Sequence, residues 1–274
     1  MTTRQIIAES AQITGGGRFS DKLNRLLPYV THRCASTIEE REAVFQVRYQ
    51  AYKRQNIIHD DSNLRLYDHK YDNSSNSFLT MTSIKGEFAS TFRIHVATNA
   101  REALPSRAAF SDLIDPYLRA GFTVVDPTRL AARLEMSKHF PELPFLALRP
   151  AWLAGVHFDA DVVLATVAVD HVPFYQRVFG YETLCEPRDY PMVRFKIVCL
   201  GLDFPSVKHA VEERYPFLRS TEAEREELFG VRCVPYALAA KLPPLEPITA
   251  TSGEAPTATP SLNLKERTTA RDLR

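Results

Sequence analysis

The sequence predicts an α/β layered fold in which helices are interleaved with a mixed sheet. Three observations carry that expectation. The β-branched run Ala160–Val169 reads as a strand buried on both faces. Phe78–Ile84 and Phe88–Val96 flank a Lys85-Gly86 turn and read as an antiparallel hairpin. Capped amphipathic segments stand between the strands, in the order helix, hairpin, helix, strand, helix, strand, helix, strand.

Each element has a local cause. Residues 1–36 hold Gly15-Gly16-Gly17 and weak periodicity, and are expected to be a flexible N-terminal segment. The first firm helix spans about Glu39 to Arg54, with Thr37 and Glu40 spaced as a capping box. On a wheel of about 100° per residue, Arg41, Phe45, Arg48 and Tyr52 share one face about 60° wide. A guanidinium inside an aromatic stripe either snorkels past the core or is buried against a carboxylate, because an unpaired buried charge is very costly. An irregular stretch (59–75) precedes the hairpin, and Arg93 stands mid-strand between Phe92 and Ile94. Ser111 is placed to cap a helix over Asp112–Ala120. Phe122–Asp126 forms a strand that Pro127 should stop, since proline cannot donate to a ladder. A helix follows from Pro144 to about Phe158. Asp170 is placed to cap another, which tolerates Pro173 in its first turns and ends at Gly180. Met192–Leu202 is the last long strand, and 206–214 and 221–229 read as surface helices. The tail 241–274 is rich in Pro, Thr, Ala and Ser and cannot bury enough surface to offset its ordering entropy. One folded domain over 37–240 is expected.

Composition excludes several classes. The 274 residues are 45% hydrophobic and 24% charged, ordinary for a globular protein. Thirty-four basic against 33 acidic side chains give a net charge of +1, so the whole chain does not read as a nucleic-acid binder. No run approaches the ~20 apolar residues of a membrane span, and the N-terminus lacks the apolar core of a secretory signal. Four cysteines (Cys34, Cys185, Cys199, Cys233) show neither a CxxC pair nor zinc spacing. A reducing, cytoplasmic compartment and no structural metal are the expectations.

Two sets of residues carry a resemblance. HVPFYQRVFGYE (171–182) after ADVVLATVAV resembles the strand–helix unit that closes the acyl-thioester site in the GNAT acetyltransferase superfamily. The more specific set is Arg48-x3-Tyr52, Tyr71-Asp72, Arg93 in a strand 21 residues on, and Asp126-x-Thr128-Arg129. It resembles the signature of acyl-homoserine-lactone (autoinducer) synthases, and more closely that of N-acyl amino acid synthases of the FeeM type, over roughly 39–204. The resemblance implies a GNAT-like fold, with a mixed, mostly antiparallel central sheet flanked by helices. Four features depart from the relatives. There is no Gly-rich pyrophosphate loop, Tyr175 lies one residue farther from its glycine, no tryptophan follows the first helix, and Asp126 stands where the family has glutamate.

The implied reaction is acyl transfer from the thioester of an acyl carrier protein, or of coenzyme A, to the amine of an amino acid, with no permanently bound cofactor. A thioester is already activated, and no GxSxG motif is present. The amine must be unprotonated, which calls for a carboxylate or a carboxylate-held water as base. Asp126 is the candidate; the competing role is an ion pair with Arg129 or Arg93. Arg93 or Arg129 is expected to take the acceptor's carboxylate, with Arg48 and Asp72 as supporting architecture. Tyr52 and Thr166 complete the substrate-binding set, and Tyr175 is the candidate proton donor to the leaving thiolate or else a core residue. Phe145, Leu146, Leu148, Trp152 and Phe158 are expected to line the acyl tunnel, and Arg133, Lys138, His139 and Arg149 to attract acidic carrier protein. Two other readings stay open: a lactone synthase using S-adenosylmethionine, and an acyl-thioester-binding module without activity.

Overall fold

The computed structural model describes residues 16–58, 63–191 and 193–230. The expectation for 241–274 lies outside them, as do residues 1–15. The core of the molecule is a seven-stranded sheet in the order β1-β2-β3-β4-β5-β7-β6. The strands are β1 (Val30–Cys34), β2 (Ser77–Ile84), β3 (Glu87–Ala97), β4 (Val124–Ala132), β5 (Val162–Ala168), β6 (Glu182–Thr183) and β7 (Ile197–Asp203). Neighbours run antiparallel except β4 and β5, which are parallel.

Helices cover both faces, giving three layers. On one face lie α2 (Ile38–Arg54), the single turn α3 (His69–Asp72) and α4 (Arg107–Arg119). Val44 and Phe45 of α2 pack on Leu79 and Met81 of β2, while Phe110, Leu113 and Ile114 of α4 pack on Val124, Val162 and Leu164. The larger core lies on the other face. There α1 (Gly16–Leu26), α6 (Leu143–His157), α7 (Val172–Phe179), α8 (Phe204–Arg214) and α9 (Glu222–Phe229) cover Phe92, Ile94, Val125, Val163 and Val167. A short α5 (Leu134–His139) links β4 to α6. Alternate strand residues point to opposite faces, so Arg93, His95, Asp126 and Thr128 all look toward the α2–α4 side.

Several expectations hold. Thr37 and Glu40 form both halves of the capping box on α2, and Gly180 ends α7 with φ 81°, a conformation glycine adopts without penalty. Others need correction. Residues 16–36 are not loose: they form α1 and then β1, which pairs along β2 from Val30 to Cys34. Phe19 and Leu23, one helical turn apart, are buried, and Phe19 meets Phe145 at 4.6 Å between ring centroids. The helix expected over Asp112–Ala120, with Ser111 as its cap, begins instead at Arg107 with Ser106 at the N-cap; the chain kinks at Phe110, just before Ser111. Asp170 does not cap α7. It sits in a 3-10 turn, and the N-cap is His171. The last long strand starts at Ile197, not near 192.

Pro127 does not stop its strand either. β4 and β5 pair only at Val124↔Val162 and Val125↔Val163, although both strands continue. Pro127 stands past the last of these pairs, where that edge of β4 has no strand beside it and a missing N–H costs nothing. On the other edge the β3–β4 register slips between Thr91↔Ala131 and Arg93↔Thr128. Two residues, Arg129 and Leu130, therefore oppose the single Phe92. Arg129 takes φ 60°, the left-handed residue of this bulge. For a residue with a Cβ that conformation costs about 1–2 kcal/mol.

Candidate active site

The gap where β4 and β5 part is occupied by a cavity of about 220 Å³. Residues 127–132 of β4 and 164–168 of β5 form two walls. Pro144, Ala147, Leu148 and Ala151, one face of α6, form a third, and Phe174, Tyr175, Tyr181, Tyr190 and Phe195 complete it. Small α6 side chains leave the space open. Of the expected tunnel residues only Leu148 lines it. Trp152 turns away to Phe204 and Phe179 and donates its indole N–H to Glu212 Oε1 at 3.1 Å. Phe145 packs on Phe19 and Phe174, Phe158 packs on Phe78, and Leu146 is enclosed in the core.

Beside the cavity lies a charged cluster built on α2, α3, β3 and β4. Asp72 is its centre, with no exposed side-chain surface. Its Oδ1 accepts from Arg48 Nη1 at 2.9 Å and from Arg93 Nη1 at 3.1 Å, and its Oδ2 accepts from the Asp68 N–H at 2.8 Å. Burial alone would push this carboxyl up; the two guanidinium groups outweigh it and hold Asp72 well below the usual carboxylate range. Arg41 donates to the Asp72 carbonyl at 2.8 Å, which anchors the α3 turn. Arg93 also donates from Nε to Thr128 Oγ1 at 3.1 Å, and its Nη1 stands 3.5 Å from Asp68 Oδ2. Nη2 of Arg129 lies 3.8 Å from that same oxygen, with its guanidinium 5.8 Å from the Tyr52 ring centroid. The two arginines expected within the α2 stripe, Arg41 and Arg48, are thus both buried against α3, and snorkelling is excluded for them.

Asp126 is fully buried and stands apart from these pairs. It accepts from the Ser106 N–H at 2.8 Å through Oδ2 and from the Ser106 hydroxyl at 2.6 Å through Oδ1. Among the described residues no guanidinium makes an ion pair with it, so the competing role expected from sequence gives way to a serine clamp. Burial raises its pKa, against the pull of the two serine bonds and the field of Arg93. Burial likewise drives His95, opposite Asp126 on β3, well below its ordinary value and keeps it neutral.

The structure therefore brings Arg48, Asp72 and Arg93 into one network, places Tyr52, Arg129, Thr166 and Tyr175 on the cavity wall, and sets Asp126 behind that wall. Burial raises the pKa of the Tyr175 phenol, which stays protonated at neutral pH. Sequence reading missed Ser106, whose Pro105-Ser106 step before a helix is itself a start signal. It also missed Tyr190, which lines the cavity from an irregular segment with no periodic pattern. Arg149 leaves the proposed basic patch. It is 1% exposed and donates to the Phe217 and Arg219 carbonyls and to Glu224 of α9. Arg133, Lys138 and His139 remain exposed around α5, whose Ser137 touches the cavity. The described residues contain no cluster fit to hold a metal and no helix long and apolar enough to cross a membrane.

No curated protein sequence matches the chain significantly. A solved structure of FeeM, an N-acyl amino acid synthase from uncultured soil microbes, superposes with a TM-score of 0.55 at 15% identity, covering 66% of this chain and 93% of that one. The acyl-homoserine-lactone synthase LasI gives 0.47 at 13% identity over 66% and 93% of the two chains. An acyl-CoA N-acyltransferase from Pseudomonas aeruginosa gives 0.43 at 15% identity over 63% and 97%. The family model described as N-acyl amino acid synthase FeeM matches residues 43–203, which hold Arg48, Asp72, Arg93, Arg129, Asp126 and both strands that bound the cavity. The chain belongs to the FeeM family of N-acyl amino acid synthases and is an N-acyltransferase of the GNAT fold.

Proposed function

We propose that this protein moves a fatty acyl group from the thioester of an acyl carrier protein to the amine of an amino acid, in the cytoplasm. The observation that supports this most is the apolar cavity between β4 and β5, with one guanidinium, that of Arg129, set in its wall. A fatty chain needs the first feature and a carboxylate-bearing acceptor needs the second.

In this reading Arg48, Asp72 and Arg93 are spent on one another and hold the wall rigid. Arg129, turned inward by the bulge, takes the acceptor's carboxylate beside Tyr52. Asp126 acts as the base for the amine. The acyl carbonyl lies along the edge of β5 that β4 has left, where backbone N–H groups stabilise the oxyanion. Tyr175 gives its proton to the departing thiolate. No resident cofactor is required. Arg133, Lys138 and His139 offer a positive rim to an acidic carrier protein, while coenzyme A presents the same pantetheine arm.

Expression in a bacterium followed by mass spectrometry of lipid extracts tests the reading. N-acyl amino acids support it. Acyl-lactones would favour the S-adenosylmethionine-dependent synthase, and bound carrier protein without any acylated product would favour a binding module.

A further inference from the structure

We infer that the hydroxyl groups of Ser106 and Thr166 form a relay that carries the acceptor amine's proton from the cavity to Asp126. The inference rests on the reading of Asp126 as base and supplies what that reading lacks, a path. Asp126 is 0% exposed and touches no part of the cavity, whereas Thr166 lines it. Ser106, also fully buried, stands between them.

The hydrogen bonding has the polarity a relay requires. Ser106 has one hydroxyl proton, committed to Asp126 Oδ1 at 2.6 Å. Its oxygen lies 3.5 Å from Thr166 Oγ1. With that proton placed on Asp126, the relay assigns the donor role in this contact to Thr166, which is among the residues lining the cavity. Such contacts are often long in an empty site and tighten with substrate.

The position of Ser106 argues that its hydroxyl is not there for the helix. It is the N-cap of α4, and N-cap serines ordinarily accept from an N–H in the first turn. Ser106 makes no such side-chain bond. The hydroxyl is turned to the carboxylate instead, and the backbone N–H follows it. Arg93 and His95 of β3, together with Tyr190 and Cys199, are the titratable groups facing Asp126, and none of them bridges it to the cavity by a hydrogen bond.

The step balances. The neutral amine attacks the thioester carbon and a C–N bond forms. The amine proton passes to Thr166 Oγ1 as the threonine proton passes to Ser106 and the serine proton to Asp126. The C–S bond breaks and its electron pair leaves with the thiolate. Tyr175, on the cavity wall, protonates the thiolate; after product leaves, Asp126 returns its proton through Ser106 and Thr166 to water in the cavity, from which Tyr175 takes one back. Ser106 is a positioning residue here, since it acts only through its neighbours.

The test uses the purified full-length protein with dodecanoyl-CoA and an equimolar mixture of the twenty proteinogenic amino acids, total N-dodecanoyl product being counted by mass spectrometry. Thr166→Val and Ser106→Ala are expected to lower turnover about 100-fold with the KM for dodecanoyl-CoA little changed. Thr166→Ser and Ser106→Thr, which keep the hydroxyl, should recover most of the rate. Asp126→Asn should be inactive. Thr166→Val at the wild-type rate, with Asp126→Asn inactive, would overturn the relay and leave Asp126 as base. Asp126→Asn at the wild-type rate would overturn the base and the relay together. If Ser106→Ala does not fold, Thr166→Val decides, because Thr166 sits at the cavity surface.

Discussion

Replacing Asp72 with asparagine keeps the shape of the side chain and removes its charge. In the folded protein that charge is shared by Arg48 at 2.9 Å and Arg93 at 3.1 Å, all three side chains being at most 1% exposed. Removing one partner of a buried pair costs about 3–5 kcal/mol, because the other partner is left buried and uncompensated. Two features pull the value toward the low end. The asparagine side chain still accepts a hydrogen bond through its Oδ1, and Asp68 stands 3.5 Å from Arg93. The expected loss is about 3 kcal/mol, a large share of the 5–15 kcal/mol that typically separates folded from unfolded chains. For a domain of this size it lowers the melting temperature by about 6–12 °C. Asp68→Asn is the internal control. That side chain is 16% exposed and its contacts are longer, so its loss should cost about 1 kcal/mol or less. Urea melts followed by the fluorescence of Trp152, the single tryptophan and a buried one, read both variants. The sign with pH is fixed. Asp72 has a depressed folded pKa, so its contribution is full above the unfolded carboxylate value of about 3.9 and is lost as pH falls through the folded value. The acid limb of stability should therefore flatten in Asp72→Asn. Equal losses in the two variants, or an unchanged acid limb, would refute the claim that Asp72 organises the cluster.

Four further outcomes follow from the same geometry. Arg129→Lys keeps the charge but loses the planar fork, so the acceptor KM should rise about 10- to 100-fold, the equivalent of roughly 1.5–3 kcal/mol for a charged hydrogen bond; steady-state kinetics with acceptor varied will show it, and an unchanged KM removes Arg129 from that role. Ala151→Phe fills the α6 side of the cavity and should shift the ratio of kcat/KM toward shorter acyl thioesters; a chain-length profile like the wild type's would place the acyl group elsewhere. The raised pKa of Asp126 puts the acid limb of kcat/KM above the ordinary carboxylate value, activity falling as pH drops through it. A limb at about 3.9 or below would contradict this. Arg149→Met should cost about 2–3 kcal/mol, read in urea, by orphaning the carbonyls of Phe217 and Arg219, while activity per folded molecule stays at the wild-type value.

Much of the layered fold was legible because its signals are local. The capping box of α2, the Lys85-Gly86 hairpin and the β-branched run of β5 each occupy a short stretch of chain. What escaped depends on partners distant in sequence. β1 is short and polar and is a strand only because β2 offers its edge. Pro127 looked like a stop because the parting of β4 and β5 is invisible without both strands. At the site, the resemblance implied Arg48 with Asp72 as supporting architecture and Arg93 or Arg129 for the acceptor; Arg48 and Asp72 do meet, and Arg93 joins them on the same carboxylate oxygen. Nothing local told that Asp126 would turn from the arginines to Ser106, twenty residues back at the far end of α4. Of the apolar residues expected to line a tunnel, four pack in the core, and on α6 the space is left open by the small side chains of Ala147 and Ala151.

The central claim is that the opening between β4 and β5 receives the acyl thioester. A crystal structure of the protein with a non-hydrolysable dodecanoyl-pantetheine thioether tests it most directly. The account predicts the alkyl chain against Pro144, Ala147 and Ala151 of α6, with the carbonyl at the unpaired edge of β5 and close to Thr166. A chain bound on any other surface, with that opening left empty, would contradict it.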